Sequence, residues 1–390
     1  MYPGHGRYFL GIRIGKIKLS SRASLLPVGL TLMGVCTVVI GVAADWPIWR
    51  GNPRQTAALT EDLAPPLEQL WRAKLGDSIE SAAIVVGDTV YVSCMDEHLY
   101  ALELPSGKIR WKYAAGAPLK APPAWQAGTV YVGDMRGTLH ALNAASGKQL
   151  WTFKTEAEII AGAAFWKERV LAGSYDENLY CLEAKSGKLI WKLATEGPVN
   201  ATPAIVEGHA IFGGCDSRLH VVELATGKEV RSLDLGAQVG GSPAIVGDLL
   251  YVGNMDKTFL AVNWKLGKLV WQFEPERAFP FYSSPAVQGE LLVVGCRDRA
   301  IYGLDAKTGK PRWRTATRGK VDSSPVITGK YVYVGSADGQ LYCLELSSGK
   351  RVWSDTLGAP ITASPAIANQ HLVIGTQDGL LYCFRKRAGN

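Results

Sequence analysis

The sequence predicts an all-β chain: an eight-bladed β-propeller of four-stranded antiparallel blades. Three observations predict it. A tryptophan recurs at one register, at Trp71, Trp111, Trp151, Trp191, Trp271, Trp313 and Trp353, with Arg231 in the remaining place; every step is 40 residues except one of 42 before Trp313. Between these markers lie four short apolar segments per unit, separated by turn signals. In the seventh unit they read "SSPVI", "YVYVGS", "LYCLEL" and "RVWSDTL", broken by "TGK", "ADG" and "SSGK". Segments this short, rich in β-branched and aromatic residues, are strands and not helices, and four of them repeated about an axis make a propeller blade. The third observation is a closure. The final unit stops after "LLYCFRKR" with no fourth strand, while "LEQLWRAKL", Leu67 to Leu75, is a fourth strand with nothing before it. Pairing the two completes eight blades and leaves no long unpaired edge at the seam.

Taken in order, residues 1–44 hold Arg7, Arg13, Lys16, Lys18 and Arg22, no acid, and then an apolar run from Leu25 to Val42. Small residues at Val42 and Ala44 mark a cleavage site, so this is a signal peptide or a signal anchor. Export to the periplasm or cell envelope is expected, with a membrane tether through this segment if it stays uncleaved. Of the net charge of +7, the segment carries five, so the remainder lacks the basic footprint of a nucleic-acid binder. Residues 45–66 form an extended lead-in, 67–386 the propeller and 387–390 a tail. A monomer is expected.

Within each blade the residues have plain structural roles. An indole wedged between neighbouring blades covers more area than any other side chain, which explains the tryptophan register. Arg231 can pack its stem in the same groove with its charge at the rim, or serve a local binding role. The Ser/Thr-Gly-Lys turn places glycine at positive φ and lysine toward solvent. Cys181, Cys343 and Cys383 fill the slot of Ala101 and Ala141, and no CxxC or adjacent pair supports a metal or disulfide. His140 and His220 fill the slot of Tyr100, Tyr180 and Tyr302, beside a repeated hairpin aspartate. No Ser/His/Asp set, HExxH motif or phosphate loop occurs, so no catalytic residue and no metal ligand is assigned.

The unit "SSPVITGKYVYVGSADGQLYCLELSSGKRVW", Ser323 to Trp353, resembles the pyrroloquinoline-quinone repeat, and the resemblance runs over about residues 67–386. "DWPIWRGNPRQTA", Asp45 to Ala57, is similar to the lead-in of exported members. That family includes quinoprotein dehydrogenases of alcohols and sugars, BamB-like scaffolds of outer-membrane assembly and other exported propellers. In the dehydrogenases, the resemblance implies, quinone and calcium lie in the propeller mouth on Glu, Asn and Asp, with an adjacent-cysteine disulfide and long inserted loops. Here the adjacent cysteines and long inserts are missing. Three residues before each first-strand proline or its equivalent, the mouth reads Glu80, Lys120, Ile160, Asn200, Gly240, Tyr282, Asp322 and Thr362. Glu80, Asn200 and Asp322 form a ligand-like trio for calcium, opposed by Lys120.

The one departure from the repeat is "EPERAFPFYSS", Glu274 to Ser284. It gathers Phe279, Phe281 and Tyr282 beside Arg277, the composition of a partner-binding hot spot; alternatively the phenylalanines fold inward as a plug. The expected function is a non-catalytic exported scaffold for protein or peptide partners in the envelope, without cofactor. The alternatives are a pyrroloquinoline-quinone- and calcium-dependent dehydrogenase, and a small-molecule or glycan sensor.

Overall fold

The computed structural model describes residues 45–277 and 279–387; the expected signal segment 1–44 and residues 388–390 of the tail lie outside them. Eight antiparallel sheets follow one another along the chain. Blade 1 runs from Ile84–Val86 to Ile109–Ala114. Blade 4 runs from Ala204–Val206 to Glu229–Asp234, and blade 5 from Ala244–Val246 to Lys268–Phe273. Blade 6 runs from Ala286–Gln288 to Pro311–Ala316. Blade 8 closes as the sequence predicts: Leu67–Lys74 pairs antiparallel with Leu380–Lys386, Trp71 opposite Cys383. Blade 7 gains an additional short strand, Ala58–Leu59, parallel to Val326–Thr328.

The repeated glycine and tryptophan turn out to be one device shared between neighbouring blades. Six of the seven indoles reach from the fourth strand of their blade to the next blade, where Nε1–H donates to a backbone carbonyl, at distances from 2.6 Å (Trp71 to Leu104 O) to 3.2 Å (Trp191 to Leu224 O). The ring lies against the glycine of that blade's Ser/Thr-Gly-Lys turn. A Cβ on Gly187 would stand 2.5 Å from Trp151, at a backbone φ of +72°. Glycine is therefore required twice over, by the turn and by the neighbour's ring. Trp353 has no such turn ahead of it and meets Phe384 edge-on at 6.0 Å.

A bulge precedes the tryptophan register, Arg231 in blade 4, in each fourth strand; in blade 3, Cys181 pairs Trp191 while Leu182 pairs Leu189, leaving Ile190 out of register. Consecutive apolar residues thus reach the perimeter, and Leu189 and Ile190 are both exposed. Nearer the axis a buried apolar ring, Ile79, Leu119, Ile159, Val199, Val239, Phe281, Val321 and Ile361, wedges the blades together.

The lead-in is a plug. Its carbonyls accept from the innermost strands in turn: Pro47 O from Trp125 N, Pro53 O from Ile205 N, Arg54 O from Ile245 N, Thr56 O from Val287 N and Ala57 O from Ile327 N, all at 2.7–2.9 Å. Trp46 exchanges both bonds with Val85. To wind so tightly, the segment holds Arg50, Gln55 and Ala57 at positive φ, a conformation costly for residues with a Cβ.

Candidate functional site: the channel mouth and the blade 6 loop

The turns into the first strands bring the predicted eight residues, Glu80 through Thr362, around a single cavity of about 180 Å³. Its floor is Trp49 of the lead-in, whose indole Nε1–H donates to Ser242 Oγ at 3.1 Å. Below the rim runs a belt of hydroxyls. Thr202, Ser242, Ser284, Ser324 and Ser364 each accept the backbone N–H of the corresponding residue one blade earlier, at 2.8–3.0 Å. The signal was present as Ser-Pro or Thr-Pro at the head of each of those units; what it does becomes visible only when the blades stand side by side.

The mouth carboxylates are already answered by the chain's own cations. Glu80 Oε2 lies 3.3 Å from Lys120 Nζ. Asp322 receives Arg297 through Nε at 2.7 Å and Nη2 at 3.0 Å, with Lys320 Nζ at 3.3 Å. Arg297 in turn lies over the Tyr282 ring, 3.4 Å from its centroid. Asn200 donates to Val239 O at 3.0 Å. Calcium takes six to eight oxygens with net negative charge around them, and these residues do not fit it. Among the described residues no group of three His, Cys, Asp or Glu is placed to hold a metal. The cavity also falls below the roughly 300–1,000 Å³ usual for small-molecule sites.

A second ring around the mouth escaped the sequence reading. Met95, Met135, Tyr175, Cys215, Met255 and Arg297 sit at one register, each backbone N–H bonded to a carbonyl of the neighbouring mouth turn. Burial first, then nearby Cys215, Glu158 and Tyr282, push the Tyr175 phenol up. The position just before the repeated hairpin aspartate would have revealed most of this ring. The aspartates themselves brace the hairpins, as expected. Asp176 accepts from Tyr180 at 2.8 Å, and Asp216 pairs His220 Nε2 at the same distance. Burial pushes the free thiols up, Cys181 to about 11 and Cys343 and Cys383 to about 12.

The blade 6 loop divides its aromatics. Phe279 is exposed, and Tyr282 stands at the mouth under Arg297. Phe281 corrects the expectation of an exposed contact: it is fully buried, 5.4 Å edge-on to Phe259, and fills the slot of Ile79 and Val199 in the apolar ring. Nor does it plug the channel, since the lead-in does that. Arg277 borders a cavity of about 740 Å³ with Phe273, Glu274, Arg299, Tyr302 and Arg314. Glu274 to Arg277 of the longer loop form one wall of that cavity.

Residues 64–161, 135–272 and 213–390 match the model of the family described as outer membrane protein assembly factor BamB. The chain belongs to this BamB family. No curated protein sequence matches it significantly. Among solved structures, the BamB-like chain is similar to BamB from Moraxella catarrhalis, at 19% identity over 84% of this chain and 99% of that one, with a TM-score of 0.73. It is similar also to a europium-containing methanol dehydrogenase, at 15% identity over 88% of this chain and 98% of that one, TM-score 0.77. A computationally designed protein, Ika8, gives 16% identity over 81% and 99%, TM-score 0.72. At these identities the likeness speaks for the fold alone. It spans a BamB, an enzyme and a design, so function must be argued from the sites.

Proposed function

We propose that this BamB-like propeller is a non-catalytic scaffold that captures a protein or peptide segment on its mouth face. The observation that carries the reading is the blade 6 loop, where the repeat is longer by two residues: Arg277 borders a cavity of about 740 Å³, and the same loop exposes Phe279. The methionines and tyrosines around the mouth supply adaptable apolar contact of the kind used by binding surfaces. Mouth carboxylates held by Lys120, Arg297 and Lys320 support docking over acid–base chemistry. The cell envelope as the place of action rests on the N-terminal targeting pattern and on family membership.

The test is co-purification of the full-length protein cross-linked in its native envelope. Recovery of the principal partner is expected to fall about tenfold or more in the variant carrying Arg277→Glu with Phe279→Ser, as for loss of a hot spot, and to persist in Lys188→Gln. Equal recovery from all three proteins overturns the assignment. Reduction of a dye by alcohols or sugars after addition of quinone and calcium would establish the dehydrogenase alternative instead.

A further inference from the structure

One groove between blades is built differently from the rest. Where the other registers carry an indole, blade 4 carries Arg231, and the structure shows both why this is tolerated and what it leaves behind. The stem of Arg231 lies against Gly267 as the indoles lie against their glycines: a Cβ there would stand 2.8 Å from Arg231 Cδ. Its Nη1 reaches Leu266 O at a long 3.4 Å, and among the described residues no carboxylate pairs with the guanidinium. The stem is thinner than an indole. A pocket of about 300 Å³ remains, walled by Trp264 and His209, whose rings lie 5.7 Å apart, with Val230 at its edge.

Three further features point to a guest. His209 Nδ1 is buried without a hydrogen-bond partner among the described residues. Leu266 and Val230 are among the most exposed large apolar side chains, at 61% and 53%. Lys265 is already held between two acids, at 2.8 Å from Glu207 and 2.9 Å from Asp248, so among the described residues Arg231 is the rim cation without a carboxylate partner.

We propose that this groove is a docking slot for an aromatic side chain of a partner peptide, flanked by an acidic residue. The aromatic ring enters where the protein's own indole sits in other grooves. It packs against Trp264 and His209, and the neighbouring carboxylate meets Arg231. The slot lies on the perimeter, so it stands or falls independently of capture at the mouth.

The probe is a fluorophore-labelled, end-capped peptide Ser-Asp-Trp-Glu-Gly-Ser, compared with versions carrying Ala for Trp and Lys for both acids, and titrated against the full-length protein by anisotropy. Wild type is expected to bind the first peptide about tenfold or more tightly than either control, as expected for a buried aromatic anchor and for a charge pair at its rim. Arg231→Trp, which refills the slot from within, is expected to abolish this preference and raise the thermal midpoint. Arg231→Glu, which keeps a stem and reverses the charge, is expected to repel the acidic peptide with the fold intact by circular dichroism. Equal binding of all three peptides overturns the proposal. So does a lowered thermal midpoint in Arg231→Trp, which would mean Trp264 already fills the space, or unchanged preference in Arg231→Glu. Self-association of the protein alone that Arg231→Trp removes would assign the slot to a second copy and overturn it equally.

Discussion

The perimeter and the axis of this propeller are held by opposite kinds of part. At the perimeter the same contact is issued again and again: an indole, the glycine it covers and the carbonyl it bonds, blade after blade. At the axis a single segment, used once, bonds six of the innermost strands and fills the space between them. Repetition makes the perimeter tolerant, because stability there is nearly a sum over neighbouring units and one groove can change character, as the fourth does at Arg231. The axis has no such reserve. Successive stretches of the lead-in meet different blades, so its residues have environments with no counterpart elsewhere in the described chain.

The sharpest way to break the comparison is at the seam, where the repeated contact also joins the two ends of the chain. Trp71 is 8% exposed, donates to Leu104 O and lies on the strand that completes blade 8. Trp71→Ala is expected to cost about 3–5 kcal/mol in urea unfolding, because both a large buried ring and the closure it secures are lost. Trp151→Ala, in a groove whose blades are continuous in sequence, should cost less; equal losses would show that closure adds nothing to the groove.

The shared glycine gives a smaller and more specific effect. Gly187→Ala puts a Cβ 2.5 Å from Trp151 at φ +72°, and a loss of about 2 kcal/mol or more is expected. Combined with Trp151→Ala, the steric part disappears. The double variant should therefore be more stable than the two single losses added together, by about 1 kcal/mol. Additive losses would show that the glycine answers only to its turn.

The same contrast explains how much could be read from the sequence. The repeat announces itself, so the blade count, the closing strand and the first ring of mouth residues, Glu80 through Thr362, followed from alignment of the units alone. Phe281 shows where alignment was available but overruled by composition. Placed under Ile79, Leu119 and Val199 it belongs to the buried ring, yet three aromatics in one loop suggested a surface cluster. The plug could not be read, because Asp45 to Ala57 has no second copy to compare with and no strand alternation; it bonds the innermost strands mainly through its carbonyls, which sequence does not distinguish. Nor could the neutralised mouth be foreseen. Arg297 belongs to a turn 25 residues before Asp322 and meets it only because their two blades are adjacent.

Arg50 sharpens the comparison at the axis, through the smallest expected effect. Its guanidinium is 1% exposed, donates through Nη2 to Pro285 O at 2.9 Å and Pro325 O at 2.6 Å, and leaves Nε and Nη1 unpartnered. No acid among the described residues pairs with it, and burial pushes its pKa down to about 9. Two terms therefore oppose one another. Arg50→Met removes an uncompensated buried charge, which favours the variant, and leaves two carbonyls without a donor, which costs about 1–3 kcal/mol each. Since these are similar in size, urea unfolding is expected to move by no more than about 1 kcal/mol in either direction. That outcome would mean the backbone bonds of the lead-in, and not its one buried cation, hold the plug in place. A loss above about 3 kcal/mol would mean the opposite: that the guanidinium organises the axis as the indoles organise the perimeter, with a counter-charge seated in the channel.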